Sequence, residues 1–135
     1  MSCGYIYLVS FNDDSNNIYI GKTRCNVFYR LQQHKYHKNS SIKNYVNTYL
    51  NNDWTKVNID IIDIIDTIDL TYIKHPYLLN NKSLNNHRLY LIESFHIHNF
   101  NNDKKYNLIN KQIPTFIQKE YDLFVKKTSF YKNKK

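Results

Sequence analysis

The chain has 135 residues, enough for one domain with a buried core and little beyond it. Its net charge of +8 and pI near 9.4 favour a polyanionic partner. Only Cys3 and Cys25 occur, without metal-ligand spacing, no apolar run approaches the ~18 residues of a membrane span, and the N-terminus lacks signal-peptide blocks, so a reduced, intracellular protein without a membrane partner is expected.

Residues 5–11 and 17–23 are β-branched and aromatic, and the polar run 12–16 between them is turn chemistry, which predicts a hairpin. With those five residues as the loop, Phe11 pairs with Asn17, Tyr7 lies opposite Gly21, and Tyr19 falls diagonally from Tyr7 on the same face. Gly21 has no side chain and so admits close approach of another backbone. Two core tyrosines would satisfy the hairpin as well. Asn26 then caps a helix whose apolar side is Val27, Phe28 and Leu31. Arg30 and His34 share one flank of it, and a guanidinium on that seam is suited to phosphate oxygens.

After a break at 37–39, Ser41 is expected to cap a second helix carrying Ile42, Tyr45, Val46, Tyr49 and Leu50 at helical spacing, ended by Asn51, Asn52 and Asp53. Val57, Ile59 and Ile61 alternate as a third strand. Asp60, Asp63, Asp66 and Asp69 recur every third residue, a spacing that sends successive carboxylates to opposite strand faces and argues against one shared ion.

Residues 70–86 read as a loop, and 84–100 as a helix. Glu93, one of only two glutamates, lies on its apolar stripe, where a carboxylate is costly unless a cation meets it. A salt bridge to Lys22 or Arg30 would serve, and so would Mg²⁺, which keeps waters and takes other ligands from phosphate. His96 and His98 do not converge and read as surface or packing residues. Tyr106 and Asn107 fall in a turn. Pro114 is expected to open a last helix bearing Ile117, Tyr121, Phe124 and Val125, and from Lys111 onward seven lysines face two acids, a basic end suited to gripping phosphates.

Five pieces in this order resemble the GIY-YIG nucleases: Tyr5-Ile6-Tyr7, Tyr19-Ile20-Gly21, Arg30 with His34, Leu91-Ile92-Glu93, and Tyr106-Asn107. Tyr5 stands where the family has Gly. Asn39 stands before Ser40-Ser41-Ile42-Lys43 where some members have a second His, with His37 two residues earlier. The resemblance implies an α/β (α+β) fold, a three-stranded antiparallel sheet flanked by helices over residues 1–112; the basic helix and tail at 113–135 are read from the chain itself as an addition to it. It implies an endonuclease that hydrolyses DNA phosphodiester bonds to 5′-phosphate and 3′-hydroxyl ends, with one Mg²⁺ or Mn²⁺ on Glu93. Catalysis would fall to Tyr7, Tyr19, Arg30, His34 and Glu93, and substrate binding to Gly21, Lys22 and Asn107. Tyr7 would take the proton of the attacking water, its pKa lowered by Lys22, Arg30 and the metal, with Tyr19 orienting the water or holding the phosphate. The expected partner is DNA, plain or branched, bound by a monomer or weak homodimer. The rival reading is a catalytically weak or inactive module that binds nucleic acid by stacking and phosphate contacts.

Overall fold

The computed structural model describes residues 3–126. β1 (Cys3–Phe11) and β2 (Asn17–Thr23) form the expected hairpin, with Tyr7 opposite Gly21 and Val9 opposite Tyr19. Its loop is fixed by Asp13, which accepts from the Ser15 backbone N–H and from the hydroxyls of Ser15 and Tyr45, while Asp14 takes the left-handed conformation at φ 59°.

β3 (Val57–Asp66) adds antiparallel to the other edge of β1, and β4 (Asn107–Leu108) runs parallel to β2, giving the order β3-β1-β2-β4. The sheet is therefore four-stranded and mixed, not three-stranded and antiparallel. Two residues are too short for any alternation to show, and β4 is held by Asn107 N–H on the Asn16 carbonyl and Ile109 N–H on the Ile18 carbonyl.

Helices cover both sheet faces. α1 (Val27–Tyr36) and α2 (Ser41–Tyr49) bury Tyr7, Val9, Phe11, Val27, Ile42, Tyr45 and Val46 on one side. α3 (Asn81–Asn102) buries Ile6, Ile18, Ile20, Leu89, Ile92 and Ile97 on the other. Every β1 residue from Ile6 to Phe11 except Ser10 thus meets a core on one face or the other, Leu8 while only half-buried, which explains its near-continuous apolar run.

Asn26 caps α1 by accepting from the backbones of Phe28 and Tyr29, as expected, but Phe28 itself is exposed. Ser40, not Ser41, caps α2, and Asn51 and Asn52 end that helix at positive φ. α3 begins three residues before the expected start because Asn80 caps it by accepting from the Ser83 N–H. Buried Asn85 ties its first turns to the loop, bonding both the N–H and the carbonyl of Ile68. At the C-terminal side Pro114 does not open a helix. α4 is a single turn (Gln118–Tyr121) continued by a π turn (Asp122–Lys126) that buries Phe124 and Val125 against the α3 core. The lysines beyond Lys126 lie outside the described residues. Among the described residues no helix is long and apolar enough to cross a membrane.

Candidate functional site

The site is built on the hairpin. Opposite Tyr7, a Cβ on Gly21 would overlap Tyr7 Cζ and Oη and stand 3.0 Å from Tyr19 Cε1, so the missing side chain makes room for the Tyr7 ring, not for a second backbone. Gly21 thus shapes the site from behind and is not part of the cavity lining. The two phenol rings lie 6.3 Å apart. His34 closes over them from α1: its Nε2 is 2.9 Å from Tyr7 Oη, its ring packs edge-on 5.2 Å from that of Tyr19, and its Nδ1 is 2.8 Å from Ser40 Oγ. Ser40 thereby serves twice, as cap of α2 and as anchor of the imidazole.

A cavity of about 760 Å³ opens beside this row. Tyr19 and Lys22 of β2 with Tyr90 and Glu93 of α3 form one wall; Arg30, His34 and His37 of the α1 side form the other; residues 110–114 close it. Tyr19, Lys22, Arg30, His34 and Glu93 therefore share one cavity, while Tyr7 is fully buried behind it. Glu93 is 14% exposed and its carboxylate lies 3.8 Å from Lys22 Nζ, the salt bridge that sequence allowed. That ammonium is also 5.9 Å from the Tyr90 ring centroid.

Electrostatics differ from expectation at the phenols. Burial pushes the Tyr7 phenol well above the ordinary range, the neighbouring Tyr19 adds to it, and Arg30 only partly opposes. Tyr19 is raised by burial and by Glu93, with Arg30 and the nearby Tyr7 hydroxyl working the other way. Arg30 therefore does not bring either phenol below its ordinary value in the free protein, because desolvation outweighs it. His34 is pushed down to about 4, by burial first and then by Arg30 and His37, so its imidazole is neutral at pH 7. Burial raises the Glu93 carboxyl against the opposing charges of Lys22 and Arg30.

Asn107 is not at the site. It is exposed on β4, where its side chain donates to Asn17 Oδ1 at 2.7 Å. Asn110 takes the place beside the cavity: Oδ1 accepts from the Ile20 N–H at 3.1 Å and Nδ2 donates to the Ile20 carbonyl at 2.7 Å. The parallel register that sets Asn107 beside Asn17 brings residue 110 beside residue 20, so the amide stands in for a strand partner where β4 has ended. That register was the signal for Asn110, and it is invisible without knowing that β4 exists.

The aspartate series behaves differently again. A bulge opposite Ile6 and Tyr7 puts Asp60 across from Leu8 and Asp63 across from Ile6, hence on one face. They still do not converge on an ion: Asp63 lies 2.9 Å from His96 Nε2, Asp66 lies on the far side near Cys3, and among the described residues no three His, Cys, Asp or Glu could hold a metal together. Both cysteines are free. For the same reason a zinc-type site of protein ligands does not fit the cavity, whereas a lone, half-buried carboxylate beside open volume fits a hard cation that keeps most of its waters, such as Mg²⁺ or Mn²⁺. No protein-family model, curated protein or solved structure matches the chain.

Proposed function

We propose that this chain is a GIY-YIG-type, metal-dependent endonuclease that hydrolyses phosphodiester bonds of DNA. One observation carries the reading: Tyr19, Arg30, His34 and Glu93 line a single cavity on a basic protein, with Tyr7 hydrogen-bonded behind them. The order of the five sequence pieces supports it. Arg30 would hold the non-bridging oxygens of the phosphate and stabilise the charge that grows on them. Glu93 would hold a divalent ion, which when bound supplies Lewis-acid charge for the phosphate and the departing 3′ oxygen.

The parts of the two tyrosines exchange relative to the sequence expectation. Tyr19 is the phenol at the cavity, so its hydroxyl meets the attacking water, while Tyr7 lies buried behind it, its ring stacked on that of Tyr19 and its hydroxyl bonded to His34. For Tyr19 to take the proton of the water, it would pass its own proton to Tyr7 Oη and Tyr7 would pass its own to His34 Nε2, leaving an imidazolium and no isolated phenolate. His34 is neutral at pH 7 and so offers a lone pair, but the burial and the Arg30 and His37 charges that hold its pKa near 4 make the imidazolium costly in the free protein. A phosphate on Arg30 offsets one of the charges that keeps it so, and Ser40 holds the ring in place. Cleavage leaves 5′-phosphate and 3′-hydroxyl ends, and one such site cuts one strand at a time.

A second reading, a nucleic-acid-binding module without cleavage, draws support from the Lys22–Glu93 ion pair, in which Glu93 already has a cation. Incubating supercoiled plasmid with the full chain separates the two. The nuclease reading expects nicking with Mg²⁺ that EDTA stops and that Glu93→Gln loses at least 100-fold, with DNA binding kept; nicking unchanged in that variant would reject it.

A further inference from the structure

The cavity reaches past the row of phenols. Beyond Arg30 it runs between the turn joining α1 to α2 and the segment that follows Asn110, where His37, Ser41 and Lys111 line it. Lys111 is placed firmly, since the preceding Asn110 is bonded twice to Ile20 and Lys111 Nζ donates to the Asn39 carbonyl across the cavity mouth. An ammonium has three donors, so this bond leaves two for a ligand. His37 Nδ1 accepts from the Asn39 N–H at 3.2 Å, which puts the ring proton of neutral His37 on Nε2 and makes that nitrogen a donor. At this end the lining carries donors and positive charge, and the one acid of the lining, Glu93, is paired with Lys22 on the α3 wall.

We propose that Lys111, His37 and Ser41 form a second phosphate subsite, which takes the phosphodiester next to the one held by Arg30 on the same strand. It rests on the nuclease reading for the identity of the strand, but not for the binding chemistry. Two neighbouring phosphates held at two points along one cavity fix the strand in register, which a single guanidinium cannot do. The substrate class that follows is a strand segment with at least two consecutive phosphodiesters. A dinucleotide with one bridging phosphate and no terminal phosphate falls outside it.

The test is made on the full chain in EDTA, so that no cleavage is needed. Anisotropy of a labelled single-stranded oligonucleotide, titrated across salt, is compared for wild type, Lys111→Met and Lys111→Arg. Lys111→Met is expected to weaken binding and flatten the slope of log K against log salt by about 0.7, the value for one phosphate contact on a single strand, and Lys111→Arg to retain it. Neutral methylphosphonates placed singly along the strand are expected to weaken wild-type binding at two adjacent positions, one of which Lys111→Met no longer senses. A single sensitive position, or a folded Lys111→Met with the wild-type slope, overturns the subsite. The methylphosphonate scan of wild type decides alone if Lys111→Met fails to fold. A two-position pattern in a protein that cleaves nothing leaves the subsite standing and removes the nuclease reading; cleavage with a one-position pattern does the reverse.

Discussion

Gly21→Ala tests the packing on which the site depends. The new methyl would overlap the far end of the Tyr7 ring and press on Tyr19. That end of Tyr7 cannot swing aside cheaply, because the residue is fully buried, stacked with Tyr19 and bonded to His34 Nε2 at 2.9 Å. Overpacking of this kind costs about 1–3 kcal/mol, and losing the Tyr7–His34 bond adds about 1 kcal/mol, so a total of roughly 2–4 kcal/mol is expected. For a chain of this size that lowers Tm by roughly 6–15 °C, measured by circular dichroism, with an altered near-ultraviolet tyrosine signal. At temperatures below its Tm, nicking by the folded variant should fall at least 10-fold, since the Tyr7–His34 bond behind Tyr19 is broken. A Tm within about 1 °C of wild type, with unchanged nicking and near-ultraviolet signal, would refute the packing of Tyr7 over Gly21.

Other perturbations separate the groups of the site. Glu93→Gln should not lower Tm at pH 7, since burial holds that carboxyl above its ordinary pKa and the charged form is the costly one; calorimetry of the variant checks this against a fall of several degrees. His34, at about 4 in the folded protein against 6.5 ordinarily, makes the unfolded chain take up a proton first as pH falls. Stability should therefore drop between pH 6.5 and 4, by at most about 3 kcal/mol, and His34→Asn should flatten the urea-unfolding profile across that window. Arg30→Lys keeps the charge but loses the fork, and single-turnover cleavage is expected to fall by about 10²-fold with near-normal DNA binding. Asn110→Ala leaves the Ile20 N–H and carbonyl without their amide partner and should cost about 1–3 kcal/mol in urea unfolding while also lowering cleavage, whereas Asn107→Ala should do neither.

The hairpin register was legible because a period of two and a five-residue polar loop leave one pairing that sets both phenols on one face. Asn26 as a cap and Glu93 as a carboxylate needing a cation were equally local inferences. What escaped was set by distant contacts. β4 exists only because residues 107–109 find the edge of β2, and Asn110 follows from that register. The α3 start lay in an asparagine-rich stretch of weak helix propensity, where Asn80 and Asn85 act through bonds to Ser83 and Ile68. The phenol pKa direction differs from expectation because charge is visible in a sequence and burial depth is not: Arg30 could be counted, but not the desolvation that outweighs it at Tyr7 and Tyr19.

Sealing by DNA ligase probes the central claim most directly, because ligase joins only nicks that carry 5′-phosphate and 3′-hydroxyl ends. Plasmid nicked by the full chain in Mg²⁺ should return to the closed circular form on ligation, and Glu93→Gln should yield nothing to seal. Nicks that ligase cannot close, nicks made equally by the variant, or intact plasmid at every Mg²⁺ concentration would contradict it.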